Sequence, residues 1–243
     1  MDTTATELSH AGAASAGWHA ALGSLPRWNT EDLRCDRFVV VAPHPDDETL
    51  GVGGTIAQVV RESIPVHIVS VTDGEAAATD RTNLGPRRLL ELHRALQVLA
   101  PRGSISTARC GLPDGRVAEE LQALRAMLET EIRVGDFVTA PMLNDGHSDH
   151  DVVGRVVRDV ARDRGVRFGF FPIWAWQWHS PGSSEILTRG RRIDISAECR
   201  IAKAAALNCF ESQILGDVPV LSKQFLRRFY ASFEVIVAEE PTP

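Results

Sequence analysis

A short unbroken apolar run followed by a helical spacing recurs through the first two thirds of the chain. Phe38-Val39-Val40-Val41 and Val66-His67-Ile68-Val69-Ser70-Val71-Thr72 are continuous and rich in β-branched residues, the pattern of strands covered on both faces. Similar runs predict strands over 37–43, 66–72, 104–110 and 136–141. Between them, helices are predicted over 53–63, 86–99, 117–132 and 148–163. In the third, Val117, Leu121, Leu124, Leu128 and Ile132 recur on one face. Alternation at these lengths implies an α/β fold: a Rossmann-like, mainly parallel sheet with right-handed crossovers and helices on both faces.

After residue 165 the rhythm changes. Residues 167–173 are apolar and aromatic, 186–195 alternate as a strand would, 196–215 read as a helix, and Phe233-Glu234-Val235-Ile236-Val237 as a last edge strand. This portion continues the sheet as an antiparallel C-terminal edge. Trp174, Trp176 and Trp178 alternate with period two, which on a strand would place three indoles on one face, as a core contact or as a platform for an apolar part of a ligand. Residues 1–30, rich in Ala, Thr, Ser and Gly, read as an N-terminal arm, and 31–243 as a single domain.

Composition narrows the function classes. A net charge of −6 over 243 residues argues against a nucleic-acid partner. No apolar run approaches the roughly 20 residues that cross a bilayer. Asp2 and Glu7, with no basic start and no long apolar stretch, argue against a secretory leader. Cys35, Cys110, Cys199 and Cys209 are widely spaced, which suits reduced thiols in a cytoplasmic protein better than a disulfide framework.

Two polar clusters follow buried strands, where α/β folds bind ligands. One is His44-Pro45-Asp46-Asp47-Glu48; the other is Asn144-Asp145-Gly146-His147-Ser148-Asp149-His150. Each alone reads as an ordinary solvated turn or helix cap. Two such loops at neighbouring strand ends could instead converge on one ion. A catalytic zinc takes three His or carboxylate ligands and keeps a position for water, and His44, Asp47 and His150 supply that set. Asp46, beside the ion, would take a proton from the water; His147 would stabilise an oxyanion; Asp149 would orient an imidazole. Gly51, Gly53 and Gly54 miss the spacing of a phosphate loop and read as close helix–sheet packing. Arg189, Arg191 and Arg192 read as a solvated face.

Pro43-His44-Pro45-Asp46-Asp47-Glu48 together with His147-Ser148-Asp149-His150 resembles the two signatures of the PIG-L / LmbE-like zinc-dependent N-deacetylases, over roughly residues 37–155. The resemblance implies one Zn2+ per chain, with other divalent ions able to substitute, on His44, Asp47 and His150. It also implies Asp46 as general base and His147 as the electrophilic or acid partner. Arg88-Leu89-Leu90-Glu91 resembles the family's Arg-x-x-Glu helix, whose arginine tends to face substrate, and Gly111-Leu112-Pro113-Asp114-Gly115 a loop whose aspartate tends to hold sugar hydroxyls. Thr72-Asp73-Gly74-Glu75 resembles the end of its second strand. One departure stands out: where some relatives carry a tyrosine two residues before the first histidine of the second signature, this chain has Asp145, and its only tyrosine is Tyr230.

The implied reaction is removal of an N-acyl, chiefly acetyl, group from an N-acetylglucosamine-type conjugate. The implied partner is that small molecule, with no nucleic acid and no membrane span, and self-association left open. Two alternatives are a non-catalytic Rossmann-like sugar- or nucleotide-binding module, which leaves both clusters unexplained, and a two-metal phosphoesterase, which asks for more ligands than these loops offer.

Overall fold

The computed structural model describes Trp18 and residues 21–33, 35–77, 82–101, 105–181, 184–216 and 219–239. Within them the chain forms a mixed sheet of β1 (Arg27–Trp28), β2 (Arg37–Ala42), β3 (Val66–Thr72), β4 (Ile105–Leu112), β5 (Asp136–Pro141), β6 (Arg167–Phe171), β7 (Gly190–Asp194) and β8 (Phe233–Glu239). Their order is β1-β7-β8-β6-β5-β2-β3-β4. β2 pairs in parallel with both β3 and β5, β3 with β4 and β5 with β6, whereas β8 runs antiparallel to β6 and β7.

The longer helices are α1 (Asp47–Arg61), α2 (Leu84–Leu99), α3 (Leu121–Glu131), α4 (Ser148–Arg164) and α5 (Ala197–Leu207). The crossovers β2-α1-β3 and β5-α4-β6 step away from β2 in opposite directions, so right-handed connections put α1 and α4 on opposite faces. α1 and α2 share their face with α5, while α3 packs on α4. Covered from both sides, β3 and β5 are buried at every position, as their unbroken apolar runs require. The connections from β2 and β5, adjacent strands, leave in opposite directions, and the crevice outside their carboxyl ends is where this topology binds ligands.

Several elements depart from the pattern read in the sequence. α1 begins at Asp47, six residues earlier than predicted, with its glycines inside the helix and in the close packing expected of them. A Cβ on Gly51 would overlap the Phe171 ring, and one on Gly54 would lie 2.8 Å from Ile195. Residues 117–132 divide into a 3-10 turn at Val117–Glu119 and α3. The alternating stretch 186–195 is strand only at β7, its first half being the helical turn Glu185–Arg189. The helix over 196–215 breaks into α5 and the turn Glu211–Ile214.

The C-terminal part is antiparallel as expected, but β8 itself is interior, covered by β7 and then β1. It enters the sheet carrying a buried carboxylate. Glu234 accepts from the Gly54 and Thr55 amides at 2.7 Å each, from the Thr55 hydroxyl at 2.7 Å and from Lys203 Nζ at 2.6 Å. That full set of charge-assisted donors is what makes an ionised group tolerable there.

The tryptophans do not form a stripe. Ala175–Trp178 is a helical turn, so Trp176 is buried against Trp18, edge to face at 5.1 Å between centroids, while Trp178 is 59% exposed. Trp18, Leu22 and Leu25, within the stretch read as an arm, are buried in the main core, and Arg27–Trp28 pair with β7. The rest of residues 1–20 lies outside the described residues. Arg189 and Arg192 approach Glu239 and Asp194 at 3.6 and 2.8 Å, at the rim of the sheet. All four cysteines are free, with Cys199 buried and the others half-buried.

Candidate active site

β2 and β5 end side by side, and the loops that leave them carry the two polar clusters to one point. His44 Nδ1 lies 3.2 Å from Asp47 Oδ2, His150 Nε2 lies 3.2 Å from the same oxygen, and the two imidazole nitrogens are 3.3 Å apart. Asp47 sits in the first turn of α1 and His150 in that of α4, so two helix starts hold two of these atoms rigidly. All three side chains are buried.

The remaining ring nitrogens fix which atoms face the centre. His150 Nδ1 is 2.7 Å from Asp145 Oδ2, and His44 Nε2 is 3.1 Å from Asp114 and 3.3 Å from Asp149. A ring N–H donated outward to a carboxylate leaves the opposite nitrogen as a lone pair aimed inward. Two lone pairs and one carboxylate oxygen thus face one point, the donor set of a borderline divalent ion. The electrostatics agree. Burial would lower both imidazole pKa values, yet Asp114, Asp149 and Asp47 hold His44 well above the usual histidine range, and Asp47 with Asp145 lifts His150 to about 9. Burial likewise opposes ionisation of Asp47, but His150 and His44 outweigh it and keep its pKa far below normal. The centre favours positive charge.

Other groups of ligating atoms lie within 4.8 Å of one another: His44 with His147 and His150, and His44 with Asp114 and Asp149. Each carboxylate here accepts at least one backbone amide, Asp47 Oδ2 taking that of His44 at 3.0 Å. Asp149 accepts from Gly115 and Val117, and Asp114 from Ala76 at 2.8 Å. The set with Asp47 differs in bringing two imidazole nitrogens and one carboxylate oxygen to the same point.

Asp46 stands at the start of α1 with φ 139° and ψ −27°, a conformation L-residues rarely adopt. Strain of roughly 1–3 kcal/mol at one residue persists only where surroundings impose it. Here Arg88 imposes it: buried, it donates to Pro45 O at 2.9 Å, Gly74 O at 3.0 Å and Asp46 Oδ2 at 3.0 Å. Gly74, at φ +66°, makes room, since a Cβ there would overlap the guanidinium. Burial pushes the Asp46 carboxyl up to about 7 despite Arg88, which pulls it down. Glu48, fully buried and accepting from the Asp46 amide at 3.1 Å, is pushed by burial to about 8.

His147 caps α4. Its Nδ1 accepts from the Asp149 amide at 3.3 Å, which leaves the proton on Nε2, and its ring centroid is 4.8 Å from those of His44 and His150. Burial, with the two neighbouring imidazoles, lowers its pKa to about 4, so it is neutral at pH 7. Of the predicted site residues, His44, Asp46, Asp47, Arg88, Asp114 and His147 line one cavity, and Asp149 and His150 stand behind it against His44. Arg88, expected to face substrate, and Asp114, expected to hold sugar hydroxyls, do line it. The Arg88 Nη atoms, however, are tied to Asp46, Pro45 and Gly74, leaving Nε unpartnered among the described residues, and Asp114 is tied to His44 and Ala76.

Three residues escaped the sequence reading. Asp145, noted only as a departure from a tyrosine, is fully buried; besides His150 it accepts from the amides of Ile173, Trp174 and Ala175 at 2.9–3.0 Å. Its position five residues before His150 was the available signal. Glu48 was quoted in its motif but given no task. Gln213 gave no signal at all. It lines the cavity with its Oε1 unpartnered among the described residues, while its Nε2 donates to Ser212.

The family model described as PIG-L, GlcNAc-PI de-N-acetylase, matches residues 39–161. A 1D-myo-inositol 2-acetamido-2-deoxy-alpha-D-glucopyranoside deacetylase of Nocardia farcinica is 31% identical over 167 residues, covering 57% of this chain and 56% of its own. The chain thus spans about half the length of such relatives. The fold is also that of the N,N'-diacetylchitobiose deacetylase of Pyrococcus horikoshii, at TM-score 0.62 and 21% identity over 84% of each chain. A conserved protein of Thermus thermophilus aligns at TM-score 0.61 and 25% identity over 86% of this chain and 96% of its own. With the family model matching half its length, this chain belongs to the PIG-L family of GlcNAc-PI de-N-acetylases.

Proposed function

We propose that this protein is a metal-dependent hydrolase that removes the N-acetyl group from an N-acetylglucosamine-type conjugate. The observation that carries the reading is the mutual approach of His44 Nδ1, Asp47 Oδ2 and His150 Nε2 within 3.3 Å, with the carboxylate of Asp46 next in the chain. A divalent ion, zinc in this reading and one per chain, would be held by those three atoms and would supply a Lewis acid and a water of lowered pKa.

The chain's own groups do the rest. Asp46, its carboxylate held by Arg88 at 3.0 Å, takes the proton of the attacking water. A cation nearby favours its ionised form and offsets the effect of burial. His147, neutral and carrying its proton on Nε2, donates to the carbonyl oxygen as that atom becomes negative; no tyrosine is needed for this. The proton gained by Asp46 then passes to the leaving nitrogen, and amine and acetate separate. Asp149 and Asp114 fix the tautomer of His44, and Asp145 that of His150. Asp114 and Arg88 keep their place on the cavity wall, where the sugar would sit.

The names of the relatives support an amino sugar conjugate as substrate class. Among the described residues no helix is long and apolar enough to cross a membrane. The four unpaired thiols support a cytoplasmic location. The test is a screen of N-acetylglucosamine conjugates for release of primary amine, with and without chelator. Amine release that chelation abolishes and zinc restores is expected; release that survives chelation, or none from any conjugate by metal-loaded protein, refutes the reading.

A further inference from the structure

A second cavity, of about 660 Å³ and larger than the one over the histidines, opens between the start of α1, the turn Arg227–Tyr230 and Trp18. It shares Leu50 as a wall with the first cavity and contains none of that cavity's titratable groups. Volumes of this size suit a small organic ligand.

Its chemistry is specific. Trp18 and Trp176 meet edge to face, and the Arg228 guanidinium lies 5.4 Å over the Trp176 ring. Arg228 Nη1 is buried with no hydrogen-bond partner among the described residues, and so is the indole nitrogen of Trp18. Buried donors are almost always satisfied, so two orphaned ones on one wall point to an absent acceptor. The charge balance says the same. Lys223 and Arg227 also line the cavity, and neither they nor Arg228 has a carboxylate partner among the described residues. The one carboxylate on the wall, Glu234, is committed to Lys203, Gly54 and Thr55. Three cations without a carboxylate partner line this cavity, one of them over an aromatic ring, in a chain of net charge −6, and that combination favours an anion.

We infer that this cavity binds an amphipathic anion, a carboxylate, sulfonate or phosphate carried on an aromatic or apolar body, with the acid group on Arg228 and the body against Trp18 and Trp176. The inference is independent of the deacetylase reading, because the site shares no reacting group with it.

The test is titration of the 243-residue chain with naphthalene-1-sulfonate, read by calorimetry and by quenching of tryptophan fluorescence. Saturable one-to-one binding is expected, with the uncharged 1-naphthol at least about tenfold weaker, as loss of a charge-assisted hydrogen bond implies. Arg228→Gln should weaken the sulfonate by about tenfold and leave 1-naphthol unchanged. Should that variant not fold, the exposed pair Lys223→Ala and Arg227→Ala should weaken the sulfonate severalfold and flatten its salt dependence. His150→Ala should bind as the wild type does. Equal affinity for charged and neutral probes, indifference to the arginine and lysine variants, or loss of binding in His150→Ala would overturn the inference.

Discussion

His150 Nδ1 stands 2.7 Å from Asp145 Oδ2, and the same carboxylate collects the amides of residues 173, 174 and 175. One fully buried aspartate thus sets the tautomer of a proposed ligand and pins the chain beyond β6 to the site.

For that reason Asp145→Asn should lower metal affinity by roughly 10–100-fold, the usual effect of losing an outer partner of a ligating histidine. Competition with a fluorescent chelator measures it. Asp145→Ala should also lower the melting temperature of the metal-free protein, because the buried amides of Ile173 and Ala175 lose their acceptor at about 1–3 kcal/mol each, and the half-buried one of Trp174 loses it too. Unchanged zinc affinity in both variants would remove Asp145 from the site.

Much of this arrangement was legible in the sequence, and the boundary between what was and was not has a physical cause. The strands β2, β3 and β5 announce themselves because two-sided burial forces continuous apolar residues at Phe38–Val41, Val66–Val71 and Phe137–Val138. The clusters at 44–48 and 145–150 follow directly, since parallel strands deliver their loops to one edge. Tertiary contacts decide the rest. The spacing of Gly51 and Gly54 tells of close packing but not of the partners, which are Phe171 and Ile195. Phe233–Val237 looks like an edge because nothing local tells that Glu234 has found Lys203 and two amides. Arg88 sits on a helix 42 residues beyond the carboxylate it holds, a pairing no local pattern encodes.

Arg88 gives the second prediction. It is the cation beside Asp46, so its removal takes away a favourable interaction with the ionised carboxylate and the Asp46 pKa rises. A base active only when ionised then needs a higher pH. In Arg88→Gln the acidic limb of the kcat/KM profile should therefore move upward, by roughly one pH unit, with kcat reduced at pH 7. Loss of activity with no movement of that limb would mean that Arg88 acts on substrate alone.

Gly74→Ala supplies a companion, because its Cβ would overlap the Arg88 guanidinium at φ +66°. It should reproduce the shifted limb and cost stability as well, since Ala at positive φ adds backbone strain of about 1 kcal/mol or more. Thermal melts and pH–rate profiles check the pair; a variant with wild-type profile and stability would contradict the proposed tether.

His147 separates metal binding from chemistry. Its pKa of about 4 leaves it neutral across the working range, and its Nδ1 is occupied by the Asp149 amide. His147→Ala should therefore retain zinc and lose on the order of 10²–10³ in kcat, the effect of removing one donor to an oxyanion. Elemental analysis alongside turnover decides; loss of zinc in proportion to activity would make it a ligand.

Glu48 bears on stability and pH in the metal-free protein. Burial raises its carboxyl from 4.5 to about 8, so the folded chain holds this proton where the unfolded chain has released it. A raised folded pKa contributes stability that is present in full below pH 4.5 and is lost as pH rises through about 8. Gln is the neutral isostere of the protonated acid and can still accept from the Asp46 amide, which Glu48 now does at 3.1 Å. Under chelator, Glu48→Gln should thus melt close to wild type at pH 5. It should melt above wild type at pH 9, where Glu48 in the wild-type protein is buried and ionised. Equal melting temperatures at both pH values, or a variant less stable at pH 9 than at pH 5 by more than wild type, would show that the Glu48 carboxylate is ionised at no cost.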